Sequence, residues 1–502
     1  MVSAHVHLSQ SSIYRENYIL QGSILWCRFC NIKVDHKIKS IIDKHLQTLK
    51  HENNKKNANN SNHLIQRTIP SLTGNTLNEK EKINIEVVEA FTFTDIPLEK
   101  IEKLKPFLMK YCKNGGLITR ANQLREKYLP LSYEIELQNL KNSIIDKIIC
   151  ITIDETTDHC GRHAVNLLFS FDNQTKLART EFLSIVNASS ISQFVMDTLH
   201  FYKIPYKNII FFISDNASYM KLAYSHLSPF LPRMKHNCLA HILNLIGETW
   251  VDFKKFELVN RLVRENYQSN YTIDNVTNHL LNLIRLVNDL EFFKIRNKAI
   301  ALFVYSRIVG LQAFLSSGRS TPPISNELDQ ILAEANCDEE SFAMIFSQAF
   351  SLAYEKCEKH LSHHLALSLF RAKQCFDPRF IQSNIAHHNM TDYGIIEVLH
   401  SPTDNLIQEW AIYCGLNESV EELIDLDVYW RGKTHLLLEL SALALVYIWL
   451  PVSGVDVKRS FSSYKSILSD KRIALKEESI QMLNFLYFNL GGNVNYDLLD
   501  SE

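Results

Sequence analysis

Two cysteines and two histidines near the start of the chain constrain its folding more than any other feature. Cys27 and Cys30 are followed by His45 and His51, in the order C-x2-C-x14-H-x5-H. Zinc binds four such side chains in a tetrahedron, and a Cys-x-x-Cys pair followed by two nearby histidines supplies them. The spacing therefore predicts a small zinc finger over residues 1–52. Two buried thiols and two unrelated surface histidines are the alternative interpretation.

The same region is strongly basic. Residues 1–70 contain ten Lys and Arg but four Asp and Glu, a balance of +6 in a chain whose formal net charge is −2. Basic side chains beside a zinc-stabilised helix are typical of contact with the phosphates of double-stranded DNA. Lys37, Lys39 and Lys44 are the candidate contacts, and phosphates are the expected target rather than base edges. A solvated basic surface without a ligand is the alternative.

The composition indicates a folded intracellular protein. Of its 502 residues 46% are hydrophobic, and Pro and Gly number only 12 and 14, which favours several helix-rich domains. The ten cysteines show no disulfide-framework spacing, which suits a reducing compartment. The most apolar stretch, 436–452, is interrupted by Glu439 and Pro451 and is too short to span a membrane. It predicts a buried helix, and we expect no membrane partner.

The chain divides into six predicted segments. After the finger, residues 53–82 are rich in Asn and Lys and predict a flexible linker. Apolar residues spaced by three and four then predict a helical domain over 83–146. A sheet-containing core over 147–250 precedes an all-α region over 251–433, which is a separate lobe or a large insertion. Further helices over 434–495 complete the core, so the expected fold class is multidomain α+β.

Four apolar runs predict the strands of the core: KIICITID, HAVNLLFSF, TEFLSIV and NIIFFISD. The first three follow one another at hairpin distance, and a helical segment separates the third from the fourth. Antiparallel strands followed by a crossover to a parallel strand are expected of a ribonuclease-H-like (RNase H-like) mixed sheet. Other α/β folds share this coarse pattern.

Two aspartates lie at the ends of predicted strands. Asp154 ends the first strand and Asp215 ends the fourth. Carboxylates at neighbouring strand ends are suited to share divalent cations such as magnesium or manganese. Two such metals, about 4 Å apart, support phosphodiester chemistry. The alternative is that each aspartate caps the turn that follows it.

Several motifs resemble those of hAT-superfamily transposases, and they occur in the order typical of that family. They are DETTDHCGRHAVN at 154–166, SDNASYM at 214–220, CLAHILNL at 238–245 and RSFSSYKSILSDKR at 459–472. The segment CNIKVDHKIKSIIDKHLQTLKH, residues 30–51, is similar to the BED-type finger of the CGG-triplet-repeat-binding protein family. The chain thus resembles a domesticated or degenerate hAT transposase with such a finger at its N-terminus.

The hAT resemblance implies an RNase H-like core, interrupted by a helical insertion, with an Asp, Asp, Glu catalytic triad. Asp154 and Asp215 match the first two metal-binding carboxylates. Cys238 and His241 match a C-x2-H element beside the core, for which we expect a packing or DNA-adjacent role. The tail matches the region through which hAT proteins dimerise. Its apolar residues provide the buried face of that dimer or, equally, an intramolecular core: Ile467, Leu468, Ile473, Leu475, Ile480, Leu483 and Leu486.

One departure from the family bears directly on activity. Members carry Glu immediately before the Arg-x-Phe-Ser element, whereas this chain has Lys458 in that place. A Lys ammonium about 4 Å from a divalent ion is repelled by about 8 kcal/mol at an effective dielectric near 20. Asp456 is a conceivable substitute, but two residues along a helix turn it by about 200°, away from the cluster.

Three functions remain open from the sequence. The leading hypothesis is a nuclear zinc-finger protein that binds DNA but no longer cuts it, with Asp154 and Asp215 vestigial. An active hAT transposase, using two-metal chemistry, is the second. The third is a self-associating transcription regulator or architectural chromatin protein. Structural zinc is the expected cofactor in each, and magnesium or manganese is expected only if the core is active.

Overall fold

The structure of the chain is a computed structural model. It describes residues 12–21, 24–30, 33–34, 39–52, 54–55, 78–237, 239–257, 259, 261, 300–322, 333, 339–416, 418, 420, 424–467 and 475–491. The chain divides into two compact units, Met1–Glu79 and Lys80–Glu502.

The N-terminal unit is a small α/β element. It contains α1 (Ser12–Asn17), β1 (Tyr18–Gln21), β2 (Ile24–Cys27), β3 (Lys33–Val34) and α2 (Lys39–Leu46). The three strands form an antiparallel sheet in the order β1-β2-β3. Six side chains are buried together beneath it: Tyr14, Tyr18, Leu25, Cys27, Val34 and Ile42. So small a core cannot support a stable fold by itself, and a metal or another staple is needed.

Helices open the second unit. They are α3 (Glu79–Phe93), α4 (Ile101–Tyr111), α5 (Ala121–Gln123) and α6 (Leu129–Ser143), with one π-helical turn at Leu124–Tyr128. The first helix begins four residues inside the segment predicted as linker, which is a correction to that boundary. Its first turn, EKEK, has a linker-like composition, but glutamates at a helix N-terminus are stabilised by the helix dipole.

A five-stranded mixed sheet follows. Its strands are β4 (Ile149–Thr157), β5 (His163–Phe171), β6 (Gln174–Leu183), β7 (Ile209–Ile213) and β8 (Lys235–Asn237), in the order β6-β5-β4-β7-β8. The first three pair antiparallel, and β7 pairs parallel to β4 after the crossover helix α7 (Ala188–Phe201). The predicted strand directions are confirmed. The fifth strand was not predicted, because its three polar residues, KHN, carry no apolar alternation.

The remaining described elements are mainly helical. They are α8 (Ser218–Leu227), α9 (Leu239–Val251), α10 (Val304–Gly318), α11 (Glu339–Leu361), α12 (Leu367–Ala372), α13 (Pro378–Ser383), α14 (Glu397–His400), α15 (Asp404–Gly415), α16 (Leu426–Lys433), α17 (Leu438–Ile448), α18 (Val455–Ile467) and α19 (Glu477–Gly491).

The two faces of the sheet belong to different hydrophobic cores. Two adjacent residues of β7 belong to different cores, since Phe211 packs with the helices after β8 whereas Phe212 packs with α7, α8 and α18. The ring of Phe211 stacks on Phe370 of α12, with centroids 5.7 Å apart. The helical region therefore shares its core with the sheet, and the interpretation of a separate lobe is wrong.

The C-terminal tail is largely buried within its own chain. Of the seven apolar residues predicted to form its buried face, Ile467, Ile480 and Leu486 are at most 2% exposed, and Leu475 and Leu483 are partly buried. Leu468 and Ile473 lie outside the described residues. The intramolecular core is thus confirmed for the described members. Helix α17 lies within the apolar stretch predicted as a buried helix, and no helix in the described ranges is long and apolar enough to cross a bilayer.

Candidate metal centre and sheet-edge carboxylates

The four predicted zinc ligands converge in the N-terminal unit. One ligand atom from each of Cys27, Cys30, His45 and His51 lies within 4.8 Å of all the others. The Cys27 and Cys30 sulfurs lie 3.3 Å and 3.6 Å from Nδ1 of His51. The end of β2 supplies the first cysteine and the turn after it the second, whereas α2 and the helical residues 49–52 supply the histidines. The arrangement could hold a metal such as zinc.

A buried asparagine orients the last of these ligands. Nε2 of His51 lies 3.1 Å from Oδ1 of Asn17, which can accept its hydrogen, and the Asn17 amide donates in turn to the Ile13 carbonyl at 2.6 Å. A metal-binding histidine typically donates its second ring nitrogen in this way, which fixes the tautomer and the ring plane. In the tautomer that donates to Asn17, Nδ1 of His51 is deprotonated and directed at the sulfurs. No sequence pattern marked Asn17 as a site residue, because it lies 34 residues before its partner.

The surroundings of His45 show that the pocket suits a cation. Nε2 of His45 is buried and has no hydrogen-bond partner, which is costly unless an acceptor of its lone pair is present. Burial lowers the pKa of both His45 and His51, so each imidazole is neutral, as coordination requires. Burial raises the pKa of the Cys27 thiol, and a bound cation is what would favour its thiolate. The donor set therefore fits zinc.

Two of the three candidate DNA-binding lysines lie on α2. Lys39 and Lys44 are both exposed, whereas Ile42 on the same helix is fully buried. Five residues along a helix separate the two lysines by about 140°, so they flank its exposed side rather than share one line. Lys37 lies outside the described residues.

The sheet brings the two predicted aspartates level with each other. In the parallel pair β4 and β7, Thr152 is opposite Ile213. Asp154 and Asp215 each follow two residues later, in adjacent segments of the same chain. Neighbouring strands lie about 4.8 Å apart. The backbone amide of Glu155 donates to Asp154 Oδ1 at 2.9 Å, and that of Ala217 donates to Asp215 Oδ1 at 3.1 Å. Asp215 therefore forms the turn-type contact of the alternative interpretation. Asp154 does neither of the things expected of it, because β4 continues to Thr157 and Asp154 pairs with Asn166 of β5 inside the strand.

Helix α18 begins next to Thr152 of β4 and Ile213 of β7. A Cβ added to Gly454, just before this helix, would lie 3.8 Å from Thr152 and 3.9 Å from Ile213. A buried polar network fixes the helix further along. The Asn166 amide of β5 donates to the Ser460 hydroxyl at 2.7 Å, and the Thr180 hydroxyl of β6 donates to Asn166 at 2.7 Å. Side chains in the first turn of α18 are consequently held near Thr152 and Ile213, two residues before the aspartates.

Lys458 lies in that first turn and acts electrostatically on Asp154. The pKa of Asp154 is raised to about 6, mainly by burial and also by the Asp215 and Glu155 charges, although the Glu155 amide and the Lys458 charge act to lower it. The ammonium group thus partly compensates two neighbouring carboxylates. Lys458 itself is exposed.

This end of the sheet offers two carboxylates, Asp154 and Asp215, as possible metal ligands. Among the described residues, the one group of three or more His, Cys, Asp or Glu side chains close enough to hold a metal is the N-terminal cluster. Asp456, the conceivable substitute, accepts from Arg459 at 3.2 Å. Glu155, which was not predicted as a site residue, accepts from the Tyr219 hydroxyl at 2.9 Å.

The predicted C-x2-H element is described only in part. His241 lies half-buried on α9, and Cys238 lies outside the described residues.

The N-terminal part of the chain matches two domain models of a known family. Residues 7–57 match the CGGBP1 N-terminal domain, and residues 75–131 match the CGGBP1 helical domain. CGG triplet repeat-binding protein 1 of Homo sapiens and that of Mus musculus are each 35% identical to the chain over 127 residues, which are 24% of this chain and 76% of theirs. The chain belongs to the CGGBP1 family.

The C-terminal part of the chain matches a model of a different family. Residues 413–490 match the hAT family C-terminal dimerisation region. This member of the CGGBP1 family therefore joins a CGGBP1-like region to a part derived from a hAT-type transposase, and both predicted resemblances are confirmed. The solved structure of the Drosophila P element transposase strand transfer complex aligns over 88% of this chain and 99% of that chain. The sequence identity is 10% and the TM-score is 0.35, a score too low to carry an argument.

Proposed function

We propose that this protein is a nuclear zinc-finger DNA-binding protein derived from a hAT transposase, and that its core no longer cleaves DNA. The finger binds the duplex, and the core supplies a folded platform. Lys458 carries the proposal, because it stands where the hAT resemblance requires the third metal-binding carboxylate.

The finger is the DNA-binding part in this proposal. Four protein ligands fill a zinc coordination sphere, so the metal is structural and has no open position for catalysis. The relatives that share this region are named for binding CGG triplet repeats. Exposed Lys39 and Lys44 and the predicted Lys37 contact phosphates, and nuclear localisation follows from a DNA partner.

The core in this proposal is RNase H-like. Support comes from three antiparallel strands followed by a crossover to two parallel strands, with the helices after β8 as the insertion. We assign residues 1–52 to the finger, 53–78 to the linker and 79–146 to the helical domain. Residues 147–250 and 434–495 form the core, around an all-α insertion over 251–433.

The loss of cleavage follows from charge. Two carboxylates and one ammonium have a net charge of −1, whereas the family's triad would have −3 at the same edge. A divalent ion bound by Asp154 and Asp215 would face the Lys458 ammonium, with a repulsion of about 8 kcal/mol at 4 Å and an effective dielectric near 20. Asp154 and Asp215 are vestigial ligands in this view.

A plasmid-nicking assay tests the proposal. The full-length protein is incubated with a supercoiled plasmid carrying candidate terminal-repeat DNA, in magnesium and then in manganese. The native protein is expected to leave the plasmid intact, and Lys458→Glu is expected to gain nicking activity. Lys458→Gln is the matched control, since it removes the positive charge without adding a ligand.

Two further outcomes decide the matter. Activity gained in Lys458→Glu should disappear when Asp154→Asn is added, because both metals would use that carboxylate. Nicking by the native protein that Asp154→Asn abolishes would show an active transposase, the alternative function, and would overturn the proposal.

Self-association is a second proposed property, favoured by the match of residues 413–490 to a dimerisation region. A homodimer would give a regulatory or architectural protein two DNA-binding fingers. Light scattering coupled to size-exclusion chromatography should give twice the chain mass. A monomer at all accessible concentrations would contradict it.

A further inference from the structure

Helix α4 has an apolar stripe that faces outward. Leu104, Phe107 and Tyr111 are 40%, 58% and 65% exposed. They are spaced by three and four residues, so they lie along one side of the helix. The side that packs inward is different and contains the fully buried Ile101 and the partly buried Leu108. Apolar periodicity in this helix thus serves two surfaces, of which one has no covering element among the described residues.

The two aromatic rings of the stripe form a platform. The ring centroids of Phe107 and Tyr111 are 5.1 Å apart, with 42° between their planes. Nζ of Lys110 lies 4.9 Å from the Tyr111 centroid, within cation-π range. Exposed aromatic rings with a cation beside them are the elements on which unpaired bases stack.

The charge beside the stripe is one-sided. Lys100 precedes the stripe on the same side of the helix, and Lys103 and Lys110 lie next to it. All three are exposed, and none of them forms an ion pair within the described part of the chain. The nearby acids are used elsewhere, since Glu99 pairs with Arg125 and Glu102 accepts from the Ala121 amide at 2.9 Å. The surface is therefore complementary to a polyanion.

We propose that this aromatic–basic face, formed by Lys100, Lys103, Leu104, Phe107, Lys110 and Tyr111, binds a single-stranded segment of DNA. Phosphates contact the lysines and unpaired bases stack on Phe107 and Tyr111. A duplex would satisfy the lysines but not the rings, because its bases are already stacked on one another. The face is a second nucleic-acid site, distinct in residues and in preferred strand form from the zinc finger.

Fluorescence anisotropy with a labelled oligothymidylate and the full-length protein tests the proposal. Phe107→Ala and Tyr111→Ala should each weaken binding about tenfold, the size of one lost stacking contact. Replacing Lys100, Lys103 and Lys110 together by Gln should lower the slope of log affinity against log salt by about 2. Circular dichroism should show an unchanged fold, since all these side chains are exposed.

Phe201→Ala is the matched control. Its ring is 45% exposed and has Nζ of Lys141 4.1 Å from its centroid, so it reproduces a lysine–aromatic pair outside the face. Binding should be unchanged in this variant. The proposal would be overturned if Phe201→Ala lost as much oligonucleotide affinity as the α4 variants. It would also be overturned if neither Phe107→Ala nor Tyr111→Ala lost any. A change in oligomeric mass in the α4 variants, with oligonucleotide binding intact, would assign the face to a second copy instead.

A Cys27→Ser background separates this inference from the proposed function. Single-strand binding should persist there with its dependence on Phe107 and Tyr111, while duplex binding through the finger is lost. Failure of the finger to bind a duplex would leave the single-strand result unaffected, and loss of single-strand binding in Cys27→Ser would contradict the α4 site.

Discussion

The N-terminal cluster and the sheet edge are both sites that the sequence marks for metal, and the structure completes only one of them. At the cluster, four ligand atoms converge, an orphaned His45 nitrogen is directed inward, and Asn17 orients His51. At the sheet edge, two aspartates are level but the nearby side chain from α18 is a lysine. Matching ligand positions are therefore insufficient evidence of a metal site unless the charge of every neighbour is also considered.

The largest expected effect concerns the cluster. Cys27→Ser removes one of four ligands, and zinc binding contributes on the order of 10 kcal/mol to such small folds. We expect loss of bound zinc and at least a hundredfold loss of duplex affinity, measured by atomic absorption and by anisotropy. Cys160→Ser, at an exposed cysteine of the other unit, should change neither. Native duplex affinity in a Cys27→Ser protein that has lost its zinc would contradict this account of the cluster.

The second prediction concerns the cost of an incomplete site. Because the folded-state pKa of Asp154 is raised to about 6, the folded chain binds this proton more tightly than the unfolded chain. Stability is therefore lost as pH rises from about 4 to 6, by ~3 kcal/mol in all. Asp154→Asn should recover most of that at pH 7 and almost none near pH 4, in guanidinium unfolding.

Asp158→Asn gives a control of opposite sign. Burial acts to raise the pKa of Asp158, but hydrogen bonds from Arg162 and Tyr464 outweigh it and lower that pKa. Its ionised form therefore stabilises the folded state at neutral pH, and this contribution is lost on acidification. The Asn variant should be less stable than the native chain at pH 7. Destabilisation by Asp154→Asn at pH 7 would contradict the account of the sheet edge.

The third prediction sharpens the comparison at the level of orientation. Asn17→Ala removes the acceptor for His51 Nε2 and should weaken zinc binding by about 10- to 100-fold. Competition with a chromophoric chelator measures this directly. Asn17→Asp retains an acceptor and should bind zinc close to the native affinity. Equal losses in both variants would indicate a packing role rather than orientation of the ligand.

The smallest effect is expected at the exposed lysines of α2. Lys39→Gln combined with Lys44→Gln should lower the salt slope of duplex binding by about 2, uniformly across DNA sequences. Lys80→Gln, an exposed lysine of the other unit, is the matched control. An unchanged slope would place the phosphate contacts elsewhere in the basic region.

Local patterns predicted the parts of this fold that depend on near neighbours. The Cys and His spacing predicted the metal cluster, and apolar runs predicted four strands and their directions. Long-range partners had no such signal. Asn166 reaches Ser460 across 294 residues of sequence, and this contact helps to hold α18 at the sheet edge. The outward stripe of α4 was also indistinguishable from a core stripe, because periodicity does not tell which apolar side is covered.

Manganese binding to the core is the most direct test of the central claim, that Lys458 excludes divalent metal from Asp154 and Asp215. Isothermal titration of the zinc-loaded full-length protein with manganese should show no binding that depends on Asp154. Lys458→Glu should create such binding, and Asp154→Asn should abolish it again. Manganese bound by the native chain and lost in Asp154→Asn would contradict the account.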